Sequence, residues 1–284
     1  RGLGDVYKRQ AFACAGGNGP RDEPIQLISL LFPYPSLEKG CAKMFDSTYR
    51  YTTLLFDADG TLFDYQKASW EALRRTLAQF ALPFSQELFA LYQEKNQALW
   101  ELYELGKVTK DQLEIQRFLH FFDAAGMAGA SPVEANEAYI GYLGQGAYLL
   151  PGALELIDTL RAKYSLYLVT NGLRRVQYRR LEGSPLAHAF DGVFVSEETG
   201  FQKPQKGFFD YVFSRIPEKN RARMLIIGDS LSSDIRGGNH AGIDTCWLNP
   251  SGMQNTSGAI CTYEITQLEE LYPILEVSLE NREN

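Results

Sequence analysis

Hydrophobic residues along this chain fall into short, unbroken runs, and each run stops at acids, glycine or a hydroxyl. Tyr51-Thr-Thr-Leu-Leu-Phe56 ends at Asp57-Ala-Asp59-Gly60-Thr61, Ser165-Leu-Tyr-Leu-Val169 at Thr170-Asn171-Gly172, and Met224-Leu-Ile-Ile227 at Gly228-Asp229-Ser230. Gly192-Val-Phe-Val-Ser196, followed by Glu197 and Glu198, is a weaker fourth case. Apolar runs of this length bounded by turn residues predict strands, and their lack of alternation predicts a parallel sheet covered on both faces. Between the runs the apolar spacing changes to threes and fours. Leu154, Leu156, Ile157 and Leu160 after Pro151, and Phe208, Phe209, Val212 and Phe213 after Pro204, predict helices. Strand alternating with helix predicts an α/β fold with a doubly wound, mostly parallel sheet. Ligands of such sheets bind beyond the carboxyl ends of the strands, so the polar clusters there are expected to converge.

Residues 64–149 break the alternation. They contain no clear strand and predict four helices near 68–81, 86–105, 110–125 and 132–146, punctuated by Gly106, Gly126 and Gly144, with Ser85, Thr109 and Ser131 as N-caps. The expected organisation is a core built from 44–63 and 150–284, with 64–149 inserted as a second, smaller helical domain. A last helix is expected near 266–277, on Leu268, Leu271 and Leu275. Residues 1–43 carry no period, include Gly-Gly-Asn-Gly-Pro at 16–20, and precede the first methionine, Met44. They are expected to be a non-native or disordered extension.

Composition narrows the function. With 28 basic and 35 acidic residues the formal charge is -7, the wrong sign for a nucleic-acid polymer, although a local site can still take a small anion. No apolar run approaches the ~20 residues that span a bilayer. Cys14, Cys41, Cys246 and Cys261 are scattered, as are His120, His188 and His240, which argues against a disulfide framework or a zinc centre. Isolated thiols fit a cytoplasmic protein. Catalytic chemistry therefore falls to carboxylates.

Asp57-x-Asp59-Gly-Thr61 is the sharpest signal. Its bland reading is an Asp/Gly turn closing a strand. Its chemical reading is two carboxylates facing one crevice, one able to attack while the other handles protons. Asp229 at a second strand tip and Asp234 in the next helical turn add two more acids, although an acid at a helix start is also an ordinary dipole partner. Four acids at one end of a sheet repel one another unless a cation joins them, and hard oxygen ligands of this type suit Mg²⁺. Thr170-Asn171-Gly172 offers a hydroxyl, an amide and helix-start N–H groups to an anion, or is a plain turn. Lys203, before Pro204, is either a surface charge or the fixed cation that acids and a phosphate together require.

In this order and on these elements, the pattern resembles the haloacid dehalogenase superfamily of phosphohydrolases, over about Thr52 to Pro250. Asp57-Ala-Asp59-Gly-Thr61, Thr170-Asn171, Lys203-Pro204 and Gly228-Asp229-x4-Asp234 correspond to its four motifs, and the helical insertion to its mobile cap on a Rossmann-like core. The resemblance implies that Asp57 is the nucleophile, forming an aspartyl-phosphate, and that Asp59 is the general acid and base. It implies phosphate binding by Thr170, Asn171 and Lys203. It also implies Mg²⁺ on Asp57, the backbone carbonyl of Asp59 and Asp229, with Asp234 direct or through water. The family's true dehalogenases lack an acid at the position of Asp59, which favours phosphate chemistry.

The stretch Leu99–Leu113, with Val169–Gly172 and Ser233–Asn249, is similar to the pyrimidine 5′-nucleotidase subgroup. That implies a small phosphomonoester substrate, a (deoxy)pyrimidine nucleoside monophosphate. Alternatives on the same fold are a sugar-phosphate or phosphoglycolate phosphatase, a phosphosugar mutase, or a binding protein that has lost the chemistry. Thirteen aromatic residues between Trp70 and Tyr148 could stack on a base, but most are expected to form the insertion's own core. Phe63, Tyr65, Lys107 and Arg174 are candidate substrate contacts.

Overall fold

The computed structural model describes residues 49–275. The expectation for residues 1–43 lies outside them. Six strands, β1 (Thr53–Phe56), β2 (Ser165–Thr170), β3 (Gly192–Val195), β4 (Met224–Gly228), β5 (Asp244–Leu248) and β6 (Tyr263–Ile265), form one sheet in the order β3-β2-β1-β4-β5-β6. Every neighbouring pair is parallel. Asp244–Leu248 and Tyr263–Ile265 are the two strands that the hydrophobic runs did not mark: the first opens on polar Asp244 and Thr245, and Glu264 splits the second.

The helices are α1 (Tyr65–Gln79), α2 (Gln86–Glu104), α3 (Lys110–Ala124), α4 (Pro132–Leu143), α5 (Ala153–Leu160), α6 (Arg174–Glu182), the single turn α7 (Ser196–Thr199), α8 (Lys206–Arg215), α9 (Arg236–Ala241) and α10 (Leu271–Leu275). The described part of the last helix is shorter than expected, and the stretch beyond Leu275 lies outside the described residues.

Alternate residues of each strand feed two different cores, which explains the unbroken apolar runs. Leu54, Phe56, Leu166, Leu168, Leu225 and Ile227 pack with Leu156, Ile157 and Leu160 of α5 and Leu271 and Leu275 of α10. Leu55, Val169 and Ile226 face the other way, against Phe208, Phe209 and Val212 of α8 and Ala241 of α9. Each fully buried side chain of this kind contributes roughly 1.5–3 kcal/mol relative to exposure. The parallel register sets Phe56 beside Leu168 and Ile227. The residues that follow these three therefore leave the sheet at the same edge.

Helices α1–α4 lie in sequence between β1 and β2 and have a core of their own. Tyr92, Phe118, Phe121, Phe122, Tyr139 and Ile140 are buried there, with Tyr92 within 5.5 Å of the rings of Phe118, Phe121 and Tyr139, centroid to centroid. Local signals start these helices. Asp64, Ser85 and Thr109 accept the backbone N–H groups of Lys67, Leu88 and Gln112, and Thr109 completes a capping box with Gln112. Ser131 makes no such bond, and α4 begins on Pro132 instead. Helix α6 belongs to both bodies of side chains: Leu173 at its start and Val176 join the aromatic core, while Leu181 joins the sheet core.

Candidate active site

At the carboxyl edge of the sheet, Lys203 is the hub. Its ammonium donates to Asp57 Oδ1 at 2.6 Å, to Asp234 Oδ1 at 2.6 Å and to the Val169 carbonyl at 2.8 Å. The side chain is 1% exposed. Burial alone would lower its pKa, but Asp234 and Asp57 together raise it, so the lysine stays charged. Asn171 braces this lysine: its Nδ2 donates to the Lys203 carbonyl and its Oδ1 accepts the Lys203 N–H, both at 2.9 Å. Both ends of its amide are thus bonded to the Lys203 backbone, and the second Nδ2 hydrogen is what its side chain could offer an anion. Thr170 Oγ1 accepts the Gly172 N–H at 2.9 Å, which leaves the hydroxyl hydrogen available to an anion.

Asp57 follows β1 and is anchored by its N–H on the Ile227 carbonyl at 2.9 Å. Its carboxyl is pushed up to about 7: burial is the main cause, Lys203 opposes it, and the charges of Asp234 and Asp59 add to it. Asp229 is raised well above the usual carboxylate range, first by burial and then by Asp57 and Asp234. The indole N–H of buried Trp247 on β5 holds the Asp229 carbonyl at 2.9 Å. Gly60 makes room for this acid: its φ is +80°, and a Cβ there would lie 2.3 Å from Asp229 Oδ2. Asp234 sits in a π-type turn, Leu231–Ile235, with Oδ1 on Lys203 and Oδ2 accepting the Ser230 N–H at 3.2 Å.

Ligand oxygens of Asp57, Asp229 and Asp234 all lie within 4.8 Å of one another. Three carboxylates with one shared ammonium leave an excess of negative charge on hard oxygen donors, which is the environment a small divalent cation such as Mg²⁺ takes. Asp59 adds no carboxylate to this group. Its Oδ1 accepts from Arg180 Nη1 and its Oδ2 from Gln177 Nε2, both on α6.

The four candidate substrate contacts fare unequally. Phe63 is fully buried in the sheet core, so the expectation that it faces substrate is corrected. Its turn folds back, with Gly60 N–H on the Phe63 carbonyl and Phe63 N–H on the Ala58 carbonyl, and the ring enters the core under the Arg180 guanidinium. Tyr65 is half-buried, its hydroxyl accepting from Asn96 Nδ2 at 3.2 Å; burial first, then Tyr139, and last the negative charge of Asp59 raise its pKa. Lys107 is exposed in the turn after α2. Arg174 pairs with Glu198 at 3.1 Å, and its N–H bonds Glu197, so both groups are engaged by α7.

The reading of the sequence missed three residues. Gln177 and Arg180 are two of them, and their three-residue spacing on one helix face is the only local hint. The third is Lys110, at the start of α3, which donates to the Gly172 carbonyl at 3.0 Å and Ser196 Oγ at 2.9 Å and pairs with Glu197 at 3.1 Å. It ties the inserted helices to the loop that follows Thr170.

Over residues 51–242 the chain matches the family described as haloacid dehalogenase-like hydrolase. It is 45% identical over 228 residues to YfnB of Bacillus subtilis (strain 168), named as a HAD-hydrolase, covering 80% of this chain and 97% of that one. It is 35% identical over 226 residues to the pyrimidine 5′-nucleotidase YjjG of Escherichia coli (strain K12), covering 80% and 98%. Against the pyrimidine 5′-nucleotidase PynA of Streptococcus pneumoniae (strain ATCC BAA-255 / R6) the identity is 37% over 230 residues, covering 81% and 97%. The crystal structure of YfnB, bound to magnesium and described as revealing interdomain movement, aligns with a TM-score of 0.77 at 45% identity, over 80% of this chain and 100% of that one. Sheet order, the acids gathered around one lysine at its carboxyl edge and this similarity agree: the chain belongs to the haloacid dehalogenase-like hydrolase family.

Proposed function

We propose that this chain is a phosphomonoesterase that releases phosphate from (deoxy)pyrimidine nucleoside 5′-monophosphates through an aspartyl-phosphate on Asp57. The observation that carries the reading is the grouping of Asp57, Asp229 and Asp234 around Lys203, with Asp59 two residues from Asp57 and bonded elsewhere. The pyrimidine nucleotide as substrate rests on the names of two relatives at 35% and 37% identity.

In the first half-reaction an oxygen of Asp57 attacks phosphorus in line with the ester oxygen. The bond from phosphorus to that oxygen breaks, its electron pair stays on oxygen, and Asp59 supplies the proton that makes a neutral alcohol. In the second half Asp59 takes a proton from water as the water oxygen attacks phosphorus and displaces Asp57. Lys203 keeps Asp57 aimed and offsets charge on the phosphoryl oxygens, and the Thr170 hydroxyl donates to one of them. Asp57 and Asp229, with Asp234 adjoining, would hold Mg²⁺, which when bound supplies charge neutralisation for the phosphoryl group. Helices α1–α4 act as a cap over the substrate, moving against the sheet domain.

The test is phosphate release from a panel of pyrimidine and purine nucleoside monophosphates, sugar phosphates and phosphoglycolate, with Mg²⁺ and with chelator. Mg²⁺-dependent release that favours uridine or thymidine monophosphate is expected. Preference for a sugar phosphate or phosphoglycolate would overturn the substrate, and the absence of free phosphate from every ester would overturn the phosphatase reading.

A further inference from the structure

Two buried side chains on α6 converge on Asp59 and have no part in the phosphoryl chemistry set out above. Arg180 is 0% exposed and Gln177 2%. The Arg180 fork bonds Asp59 Oδ1 through Nη1 and the Gly146 carbonyl through Nε at 3.2 Å, and its guanidinium carbon lies 4.8 Å from the Phe63 ring centre. Gln177 bonds Asp59 Oδ2 through Nε2. One donor on each oxygen defines both the direction and the plane of a carboxylate, as a single donor does not. The Asp59 side chain is still 27% exposed, so the face away from α6 is open.

Stability alone does not account for this pair. Arg180 Nη2 and Gln177 Oε1 are buried without a partner among the described residues. Unpartnered buried polar atoms cost free energy that an apolar side chain of similar size would not incur. The loop is shaped to admit the amide: a Cβ at Gly172 would fall 1.9 Å from Gln177 Nε2. Helix α6 is in turn fixed by Val176 and Leu181 in two different cores.

We propose that Arg180 and Gln177 form a clamp that positions the Asp59 carboxyl for proton transfer at the ester oxygen. The clamp rests on the reading of Asp59 as the proton donor. When Asp59 gives its proton to the departing oxygen it becomes a carboxylate near Asp57, Asp229 and Asp234, and Arg180 is the fixed cation that receives that charge. The site then contains two buried cations with separate duties, Lys203 for Asp57 and Asp234, and Arg180 for Asp59. Arg180 and Gln177 are positioning residues, acting through Asp59 alone.

The test compares kcat/KM in Mg²⁺ for two esters: the alkyl phosphate turned over best in the panel, whose alcohol must be protonated to leave, and p-nitrophenyl phosphate, whose phenolate leaves without a proton. This constant covers steps up to departure of the leaving group, so it isolates the proton donation. Arg180→Met is expected to lose roughly 100-fold on the alkyl ester, and Gln177→Met roughly 10-fold, with both nearly normal on the aryl ester. Arg180→Lys should recover part of the alkyl rate, and Asp59→Asn should show the same split, larger. Far-UV circular dichroism and thermal unfolding check each variant, and Gln177→Met with Arg180→Lys carry the test if Arg180→Met does not fold. Equal losses on both esters, or unchanged alkyl rates, in the α6 variants while Asp59→Asn retains its split would overturn the clamp alone. An Asp59→Asn variant without the split would remove the underlying reading and the clamp with it.

Discussion

The two ends of the one sheet handle carboxylates in opposite ways. At the amino end each acid has its own donors. Asp244 Oδ2 accepts from Arg50 Nη2 and from the Tyr51 hydroxyl. Glu218 accepts the Thr52 hydroxyl at 2.8 Å and the N–H groups of Lys219 and Asn220 at 2.9 and 2.8 Å. Asp191 takes the Leu166 N–H at 2.9 Å. At the carboxyl end Asp57, Asp229 and Asp234 crowd together, and the first and third share one ammonium. The difference shows in proton affinity: Glu218 is held below its ordinary value, whereas burial and neighbouring acids raise Asp57 and Asp229. Matched acids stabilise the fold. Unmatched acids are a cost, and under the proposed function the phosphoryl chemistry accounts for it.

The sharpest way to break this contrast is Asp57→Asn. Phosphate release should fall at least about 1000-fold, while the thermal midpoint in chelator holds or rises, because a buried charge leaves a crowded group and Lys203 keeps Asp234. A midpoint lowered by many degrees would mean that the two ends serve stability alike. Asp244→Ala should do the reverse. Loss of the acceptor shared by Arg50 and Tyr51 should cost about 1–3 kcal/mol in denaturant unfolding, with phosphate release unchanged. An activity loss without a stability loss would contradict the division between the two ends.

The smallest effect belongs to Glu218. Burial pushes its carboxyl up, but the Asn220 N–H, the Thr52 hydroxyl, the Lys219 N–H and the charge of Arg223 together leave it lowered. A lowered carboxylate stabilises the fold above its unfolded pKa, near ~4.3, and that contribution disappears as pH falls through the folded value. Glu218→Gln should therefore be less stable than the parent at pH 7, by less than about 1 kcal/mol given its exposure, with the gap closing in acid. Unfolding curves at pH 7 and pH 3 that keep the same gap would show that the stabilisation is not electrostatic.

The strand tips were legible because each couples a local apolar run to the polar residues directly after it. Asp57, Thr170, Lys203, Asp229 and Asp234 could all be selected from motifs of a few residues. Gln177 and Arg180 could not, since they lie 118 and 121 residues from the carboxylate they hold. Phe63 looked like a cleft residue because it follows the acid pair, but two backbone bonds turn its ring into the core. Lys107 and Lys110 are equivalent as text. The cap at Thr109 separates them, leaving the first in an exposed turn and carrying the second, at the head of α3, toward Ser196 and Gly172.

By itself, then, the sequence determined four of the six strands, the helices of the insertion and the acids at the strand tips, because backbone preference and apolar periodicity act over a few residues. Tertiary structure decided which side chains meet. Parallel register brings the tips of β1, β2 and β4 level, packing of α6 against two cores delivers Arg180 and Gln177 to Asp59, and the same packing leaves Arg174 with Glu198. Those meetings are sums of many contacts between residues distant in the chain, and no short window of sequence contains both partners.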